Sequence, residues 1–306
     1  MNLSPVVTTP RSARPAMKDL PALVDQRLDR LLPSPLAKTD SLCRAMRYAL
    51  LAPGKRLRPI LTVLATWELG VDDLAALDAG CALEMVHAAS LILDDLPAMD
   101  DAKVRRGQAA THLAFGEDVA MLAAIGLLSR AFGIVGSLAD QAPSVRSALV
   151  GILSDAVGCD GLVGGQHRDL RRQRGASDMA DLAHGNHLKT GLLFLAAVDM
   201  AGEIAAVRGD RLARLRTFAT ELGQAFQILD DLLDGEPSPE AIGKDVGQDG
   251  AKETIVSLLG PRQAQARLHH HVARALDGLD ASGAGPGPLR AFAHQIFGPY
   301  ASIMSA

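Results

Sequence analysis

Two clusters of aspartate each follow a long apolar run, and both could hold divalent metal ions. The first, residues 94–101 (DDLPAMDD), places four carboxylates within eight residues. The second, residues 226–234 (FQILDDLLD), places Asp230 and Asp234 four residues apart, on one face of a helix. One such cluster is as often a solvated helix end, but carboxylates after an apolar helix are costly to bury unless cations compensate them. Mg²⁺ often shares carboxylates with substrate phosphates, so two such clusters indicate a magnesium-dependent phosphate site.

Basic residues flank both clusters and could clamp phosphate groups. They lie in residues 54–59 (GKRLRP), in 105–107 (RRG), at 189–190 (KT), and after the second cluster in 243–252. Each alone is an ordinary surface cation, but metal-bound carboxylates with Arg and Lys form a phosphate clamp. Two such groups of cations indicate two substrates that carry polyphosphate. His87, on the helix face of Asp94, is either a satisfied core histidine or a hydrogen-bond donor to phosphate.

Helical periodicity predicts the elements that position these motifs. The stretch 74–93 is apolar nearly all round, which is typical of a helix at the centre of a large bundle, and Pro97 should end it. Alternating β-branched runs are scarce, so we predict no sheet. We expect an all-α single domain over residues 18–306, with long antiparallel helices around a central catalytic cavity, after a flexible segment 1–17. Further helices are predicted over 117–139, 148–164, 190–206, 210–233, 262–280 and 289–304, with a loop at 141–144.

Composition narrows the class of protein. The 306 residues are 48% hydrophobic and 22% charged with a net charge of −4, which is typical of a soluble globular protein and not of a nucleic-acid-binding one. No run of roughly 18 uninterrupted apolar residues occurs, so we expect no membrane span. Three widely spaced cysteines and the lack of a secretory leader favour a cytoplasmic location. P-loop, GxSxG and GxGxxG motifs are absent, which disfavours a kinase, and we interpret the run His269–His271 as incidental.

Six motifs together resemble one enzyme family. GKRLRP, DDLPAMDDAKVRRG, GGQ, HLKTG, FQILDDLLD and GKDVGQDGAKET occur in the order found in trans-isoprenyl diphosphate synthases, over about residues 40–265. Residues 83–97 are especially similar to bacterial geranylgeranyl diphosphate synthases of the carotenoid pathway. The resemblance implies the isoprenoid synthase fold and a head-to-tail condensation of isopentenyl diphosphate with dimethylallyl, geranyl or farnesyl diphosphate. It also implies about three Mg²⁺ ions per site, with Mn²⁺ as an alternative.

The resemblance further implies a role for individual residues. The metal ligands would be Asp94, Asp95, Asp100, Asp230, Asp231 and Asp234. Isopentenyl diphosphate would be held by Lys55, Arg58, His87 and Arg106. The allylic diphosphate would be held by Arg105, Lys189, Thr190, Gln227, Lys244 and Lys252. The chain departs from the family after GGQ, where the expected aspartate is Asp169, and it lacks a clear basic C-terminal tail that could close the site.

Small residues before the first cluster set the expected product length. Ser90 lies one turn before Asp94 on the same face, about 6 Å deeper, which is comparable with one five-carbon unit. The role of Ala89 rests on the resemblance, because a bulky aromatic there shortens the product in the family. Both residues leave room here, so we predict a C20 product, although they could instead permit close helix packing.

Three other functions remain as alternatives. A farnesyl diphosphate synthase differs only in where the chain stops, at C15. A terpene cyclase would need one diphosphate site, whereas this sequence has two aspartate clusters and GKRLRP. A non-catalytic partner subunit should lack one of the two clusters. The broad apolar helices also predict a homodimer.

Overall fold

The computed structural model describes residues 14–34, 40–171, 179–234, 254–280 and 287–300. Over these residues the chain forms fourteen α-helices and one two-stranded hairpin, which confirms the expected all-α fold. The helices are α1 (Leu20–Leu31), α2 (Ser41–Leu50), α3 (Leu57–Glu68), α4 (Leu74–Asp94), α5 (Thr111–Phe115), α6 (Glu117–Gly136), α7 (Pro143–Val157), α8 (Leu162–Arg171), α9 (Met179–Asn186), α10 (Leu192–Ile204), α11 (Asp210–Asp234), α12 (Ile255–Leu259), α13 (Pro261–Asp280) and α14 (Pro288–Phe297). The hairpin strands are β1 (Val104–Arg105) and β2 (Gln108–Ala109), and a π-helical turn, His187–Gly191, joins α9 to α10.

Helix α4 lies at the centre of the fold, as its apolar composition predicts. The carboxylate of Asp73 accepts a hydrogen bond from the backbone N–H of Ala75 at 2.8 Å and begins the helix. The helix ends at Asp94, three residues before Pro97, so the expected end is confirmed. It packs between α3 on one side and α6 on the other, and α10 covers part of it. The core therefore fixes the direction in which the first aspartate cluster leaves this helix.

A second group of helices carries the other aspartate cluster. Helix α11 packs against α10 and along most of α13, and its apolar face is buried there at Phe218, Leu222 and Leu229. These residues recur at spacings of four and seven, which keeps them on one face of the helix. Asp230 and Asp231, in the last turns of α11, lie off this buried face and are half-buried.

The predicted helix over 148–164 is wrong in its bounds. Helix α7 begins at Pro143, inside the expected loop at 141–144, because proline is well tolerated in the first turn of a helix. Its helical pattern ends at Val157, and turns at residues 158–161 separate it from α8. Gly158 and Gly161 lie in this break, where a β-carbon on Gly161 would come 2.4 Å from the carbonyl oxygen of Ala156.

The last helix differs from its expected bounds as well. Helix α14 stops at Phe297 instead of continuing to residue 304, and a 3₁₀ turn follows at Gly298–Tyr300. Part of the predicted flexible segment 1–17 is described, and Arg14 lies 3.6 Å from the carboxylate of Asp72. The hairpin also corrects the expectation of no sheet, since four residues pair in register, Val104 with Ala109 and Arg105 with Gln108.

Three stretches are long and apolar enough to cross a membrane, judged by length and composition alone: Leu74–Asp94, Glu117–Gly136 and Pro143–Arg171. The expectation that no segment could do so is therefore not confirmed. In the first stretch 72% of the most apolar window is buried inside the protein, which accounts for its composition. The corresponding shares are 39% and 28% in the other two, so apolar surface remains on α6 and α7.

A close contact between α3 and α4 yields a prediction on stability. A β-carbon on Gly80 would lie 2.6 Å from the α-carbon of Pro59, so only glycine fits there without movement of a helix backbone. We expect Gly80→Ala to lower the free energy of unfolding by about 1–3 kcal/mol, measured by urea denaturation. Gly151→Ala is the matched control, because a β-carbon there meets nothing within 4 Å. The control should be neutral or stabilising by up to about 1 kcal/mol, and equal losses in both variants would contradict the contact.

Candidate active site

The first aspartate cluster turns sharply at the end of α4. The backbone N–H of Asp100 donates to the carbonyl oxygen of Asp94 at 2.9 Å, which folds the segment back on itself. Asp94 and Asp95 are buried, whereas Asp100 is half-buried. Arg105 donates to Asp95 through Nε at 3.0 Å and Nη2 at 2.5 Å. Thus one arginine offsets the charge of one buried carboxylate.

Burial raises the pKa of both carboxyls at the end of α4. It raises the pKa of Asp94 to about 6, against the opposing effect of Lys189. Burial also raises the pKa of Asp95, in spite of the hydrogen bonds from Arg105. The charged forms are therefore incompletely compensated, and a hard cation with oxygen ligands would stabilise them. In the part of the chain that the structure describes, no three His, Cys, Asp or Glu side chains already form a complete metal site.

The hairpin sends two neighbouring arginines in different directions. Its loop is Arg106-Gly107, and both residues have positive φ, 55° and 78°, as a two-residue type I′ turn requires. Arg105 contacts Asp95, while the guanidinium of Arg106 lies 3.8 Å from the carboxylate of Glu84. The turn therefore divides the basic pair between two anionic environments.

The π-helical turn connects the two aspartate clusters. From one of its residues, the ammonium of Lys189 reaches Asp169 at 3.0 Å and Asp94 at 3.8 Å. From the next residue, the Thr190 hydroxyl donates to Gln227 Oε1 at 2.9 Å, and Gln227 Nε2 donates to Asp231 at 2.8 Å. π-Turns are rare and often occur at functional sites. Here the turn places the clusters of α4 and α11 on either side of one short segment.

The second cluster is described only in part. Asp230 and Asp231 are half-buried in the last turns of α11. Asp234 is the last residue of that helix, and its side chain lies outside the described residues. Lys244 and Lys252, which the family resemblance assigns to the allylic diphosphate, also lie outside them.

A row of aromatic rings carries two of the predicted phosphate-binding cations. The guanidinium of Arg58 lies 5.3 Å from the ring of Phe194, and the rings of Phe194 and Phe226 are 5.8 Å apart. The ammonium of Lys55 lies 5.8 Å from Phe226 and from Tyr300. Cation–π contacts fix each charge over a ring without using its hydrogen-bond donors. Both cations therefore keep donors for an anion.

His87 and Arg106 complete this second group of cations. Burial lowers the pKa of His87 well below its ordinary value, and the charges of Arg58 and Arg106 lower it further. The imidazole is consequently neutral near pH 7 and can donate one hydrogen bond. A β-carbon on Gly54 would lie 3.2 Å from Cζ of Arg106, so the GKRLRP loop and the hairpin meet here.

The two product-length candidates lie on α4 below the first cluster. Ala89 is fully buried in the core, and Ser90 is half-buried with its hydroxyl donating to the carbonyl of His87 at 2.9 Å. The hydroxyl is thus satisfied by its own helix. Both side chains are small, so neither projects far from the helix.

Several residues of the site have roles that the sequence did not predict. Asp169, noted only as a departure from the family, pairs with Lys189. Gln166 of GGQ contacts Met99 of the first cluster, and its Oε1 is buried without a hydrogen-bond partner among the described residues. Outside the site, His271 of the run interpreted as incidental lies 2.7 Å from the buried carboxylate of Glu221 and links α13 to α11. The motifs marked some of these positions, but long-range pairing has no local sequence signal.

Comparisons with known proteins show the family and the fold of the chain. The sequence profile of the family described as polyprenyl synthetase matches residues 39–273. The chain is 45% identical to a geranylgeranyl diphosphate synthase of Pantoea ananas, with 88% of each chain covered. It is 39% identical to a farnesyl diphosphate synthase of Geobacillus stearothermophilus, over 79% of this chain and 84% of that one. A crystal structure of a geranyltransferase from Helicobacter pylori, complexed with magnesium and isoprenyl diphosphate, superposes with a TM-score of 0.80 at 25% identity, covering 94% of this chain and 95% of that chain.

Proposed function

The chain belongs to the polyprenyl synthetase family, and from that premise we propose that it is a geranylgeranyl diphosphate synthase. It would condense isopentenyl diphosphate with an allylic diphosphate, head to tail, and stop at C20. The C10 and C15 condensations could occur in the same site, because each repeats the same step. The product would serve reactions that consume a geranylgeranyl unit, and carotenoid formation is one of them.

One observation carries this proposal. The segment Lys189-Thr190 contacts Asp94 of the first cluster and, through Gln227, Asp231 of the second. A leaving diphosphate bound between the clusters would lie beside the aspartates that would hold metal ions and beside the ammonium of Lys189. A separate group of cations around Arg58 supports a second diphosphate site, as a condensation of two diphosphates needs.

Magnesium fits the residues at the first of these sites. Six of the seven aspartates of the two clusters, all except Asp101, are the proposed ligands. The raised pKa values of Asp94 and Asp95 indicate buried carboxylates that lack enough positive charge. We propose about three ions per site, with Mn²⁺ as a substitute. When bound, Mg²⁺ supplies positive charge that stabilises the departing diphosphate.

The residues of the chain would act by binding and by exclusion of water. Arg105 and Lys189 would donate to diphosphate oxygens on which negative charge develops as the allylic C–O bond breaks. The double bond of isopentenyl diphosphate then attacks the allylic cation. Phe194 and Ala89, both buried, would keep that cation dry. The proton lost at the end passes to the released diphosphate, so no side-chain base is required.

The second diphosphate would be held by a different set of side chains. Arg58 and Lys55 would present guanidinium and ammonium donors, and Arg106 would add another from the hairpin. His87, neutral because of its lowered pKa, would donate a single hydrogen bond. None of these groups needs to change protonation during the reaction, so their contribution would be to binding and orientation.

We also propose a homodimer in the cytoplasm. Four large apolar side chains of α5 and α6 are exposed by 43–60% of their area, and they form a face that a second copy could cover: Leu113, Met121, Leu122 and Ile125. Exposed apolar patches of this kind usually mark a contact surface. The free thiols of Cys43 and Cys81 are buried, which suits a reducing compartment.

A direct assay tests the function and the product length together. Purified protein is incubated with Mg²⁺, labelled isopentenyl diphosphate and each allylic primer in turn, and the products are separated by chromatography. We expect incorporation that requires Mg²⁺ and a C20 product. A main product of C15 would favour a farnesyl diphosphate synthase, and cyclic product from an allylic substrate alone would indicate a terpene cyclase.

Loss of one proposed metal ligand should remove most of the catalytic activity. We expect Asp94→Asn to lower kcat/KM on the order of a thousandfold, since transition-state charge loses several kcal/mol of stabilisation. Asp101→Asn is the matched control, because Asp101 belongs to this cluster but is exposed, pairs with Lys103 and is not a proposed ligand. The control should retain nearly full activity in the same assay. Equal losses in the two variants would contradict the assignment of Asp94.

A bulky side chain below the first cluster should shorten the product. We expect Ala89→Phe to shift the main product from C20 toward C15, because the ring would take up depth below Asp94 that a longer chain would need. The measurement is chromatography of the dephosphorylated products. The Gly80→Ala variant controls for loss of stability alone and should still give C20. An unchanged chain length in Ala89→Phe would refute the role of Ala89.

A charge on the apolar face of α6 should separate the proposed dimer. Ile125 is 60% exposed in the single chain, and in a symmetric contact its replacement Ile125→Glu would place two like charges close together. We expect light scattering to give the mass of one chain, 32.1 kDa, for the variant and twice that for the unchanged protein. Leu74→Glu, at a position 80% exposed at the start of α4, should leave the mass doubled. A monomeric unchanged protein would overturn the proposal.

A further inference from the structure

A buried carboxylate lies behind the group of cations proposed to bind isopentenyl diphosphate. Glu84 on α4 is only 2% exposed, and Arg56 Nη1 donates to it at 3.1 Å. The guanidinium of Arg106 approaches the same carboxylate oxygen to 3.8 Å, and the positive charge of Arg58 is also stabilised by Glu84. One carboxylate thus serves three arginines.

Arg56 is held in a way that fixes the GKRLRP loop. Its side chain is 1% exposed, and it also donates to the carboxylate of Asp25 and to the carbonyl of Ala52, both at 2.7 Å. Its backbone has a positive φ of 49°, which is unusual for a residue other than glycine. Arg56 precedes α3 directly and lies between Lys55 and Arg58 in the sequence. Its burial therefore fixes the backbone that carries both cations.

Stability alone gives little reason for this ion pair. The attraction within a buried ion pair usually only offsets the cost of removing its charges from water. Apolar side chains of similar volume often stabilise a fold equally well. Two arginine atoms nearby, Nη1 of Arg106 and Nε of Arg58, are buried without a hydrogen-bond partner in the part of the chain that is described. Buried donors without partners are uncommon and indicate a missing ligand. The arrangement suits a pocket that holds its donors in place for an anion.

We propose that Glu84 is a positioning residue for the isopentenyl diphosphate site, acting through Arg106 and, by way of Arg56, through Lys55 and Arg58. This inference rests on the proposed function. The carboxylate fixes the direction of the guanidiniums and keeps like charges from repelling one another before substrate binds. It lies one helical turn before His87 on α4, so one helix carries both the anchor and a proposed ligand of the diphosphate.

Steady-state kinetics of Glu84→Gln test this role, with each substrate varied in turn. We expect the KM for isopentenyl diphosphate to rise about tenfold or more, because misplaced donors bind the anion poorly. The KM for the allylic substrate should stay within about twofold, since that diphosphate is bound by other residues. Asp25→Asn is the matched control. It removes the other carboxylate on Arg56, which is 55% exposed, and both KM values should stay within about twofold.

A double variant separates positioning from loss of stability. Glu84→Gln alone leaves Arg56 buried with one carboxylate fewer and could unfold the chain. Arg56→Met combined with Glu84→Gln removes both charges of the buried pair, so thermal stability should recover toward that of the unchanged protein. We expect the defect in KM for isopentenyl diphosphate to persist in this double variant.

The outcomes distinguish this inference from the proposed function. If KM recovers together with Tm in the double variant, or if both substrates are affected equally in Glu84→Gln, Glu84 is structural only and the inference is wrong. If the unchanged protein incorporates no isopentenyl diphosphate, the proposed function fails before the variants are compared. A selective rise in the KM for isopentenyl diphosphate that outlasts the recovery of Tm supports the positioning role.

Discussion

The placement of carboxylates at the buried end of an apolar helix is the constraint on which the rest of the site depends. Asp94 and Asp95 lie at the buried end of the apolar helix α4, so their charges are removed from water. Such charges need cations from elsewhere in the chain, and Arg105 and Lys189 provide them from a hairpin and a π-turn. These two cations do not fully compensate the buried carboxylates, and a divalent ion would supply the missing positive charge.

The site is divided into two electrostatic compartments with different chemistry. Around Asp94 the anions are in excess and suit metal ions, whereas around Glu84 the arginines are in excess and suit a bare diphosphate. Helix α4 contributes to both, ten residues apart along one axis, or about 15 Å. A reaction that joins the carbon chains of two diphosphate esters needs this separation, because one diphosphate must leave while the other stays bound.

Local patterns predicted the helices and the motif positions, and they failed where distant segments pair. The end of α4 follows from Pro97, and the burial of α4 follows from its composition. The type I′ hairpin could have been inferred from Arg106-Gly107, since glycine in a two-residue loop is its usual signal. By contrast, the contacts of Lys189 with Asp169 and of Arg56 with Glu84 join residues 20 and 28 positions apart, and no periodicity encodes them. Nor did sequence reasoning locate the π-turn, which depends on how α9 and α10 meet.

The hairpin also links loop length to charge placement. Arg105 is the last residue of β1 and Arg106 is the first residue of the turn, so the change from strand backbone to a positive φ sends the two side chains in different directions. Adding or removing a single residue between Val104 and Ala109 would replace this two-residue turn with another connection. The length of the connection thus fixes where both guanidiniums lie, and an insertion there would displace them from Asp95 and Glu84 without changing any side chain of the site.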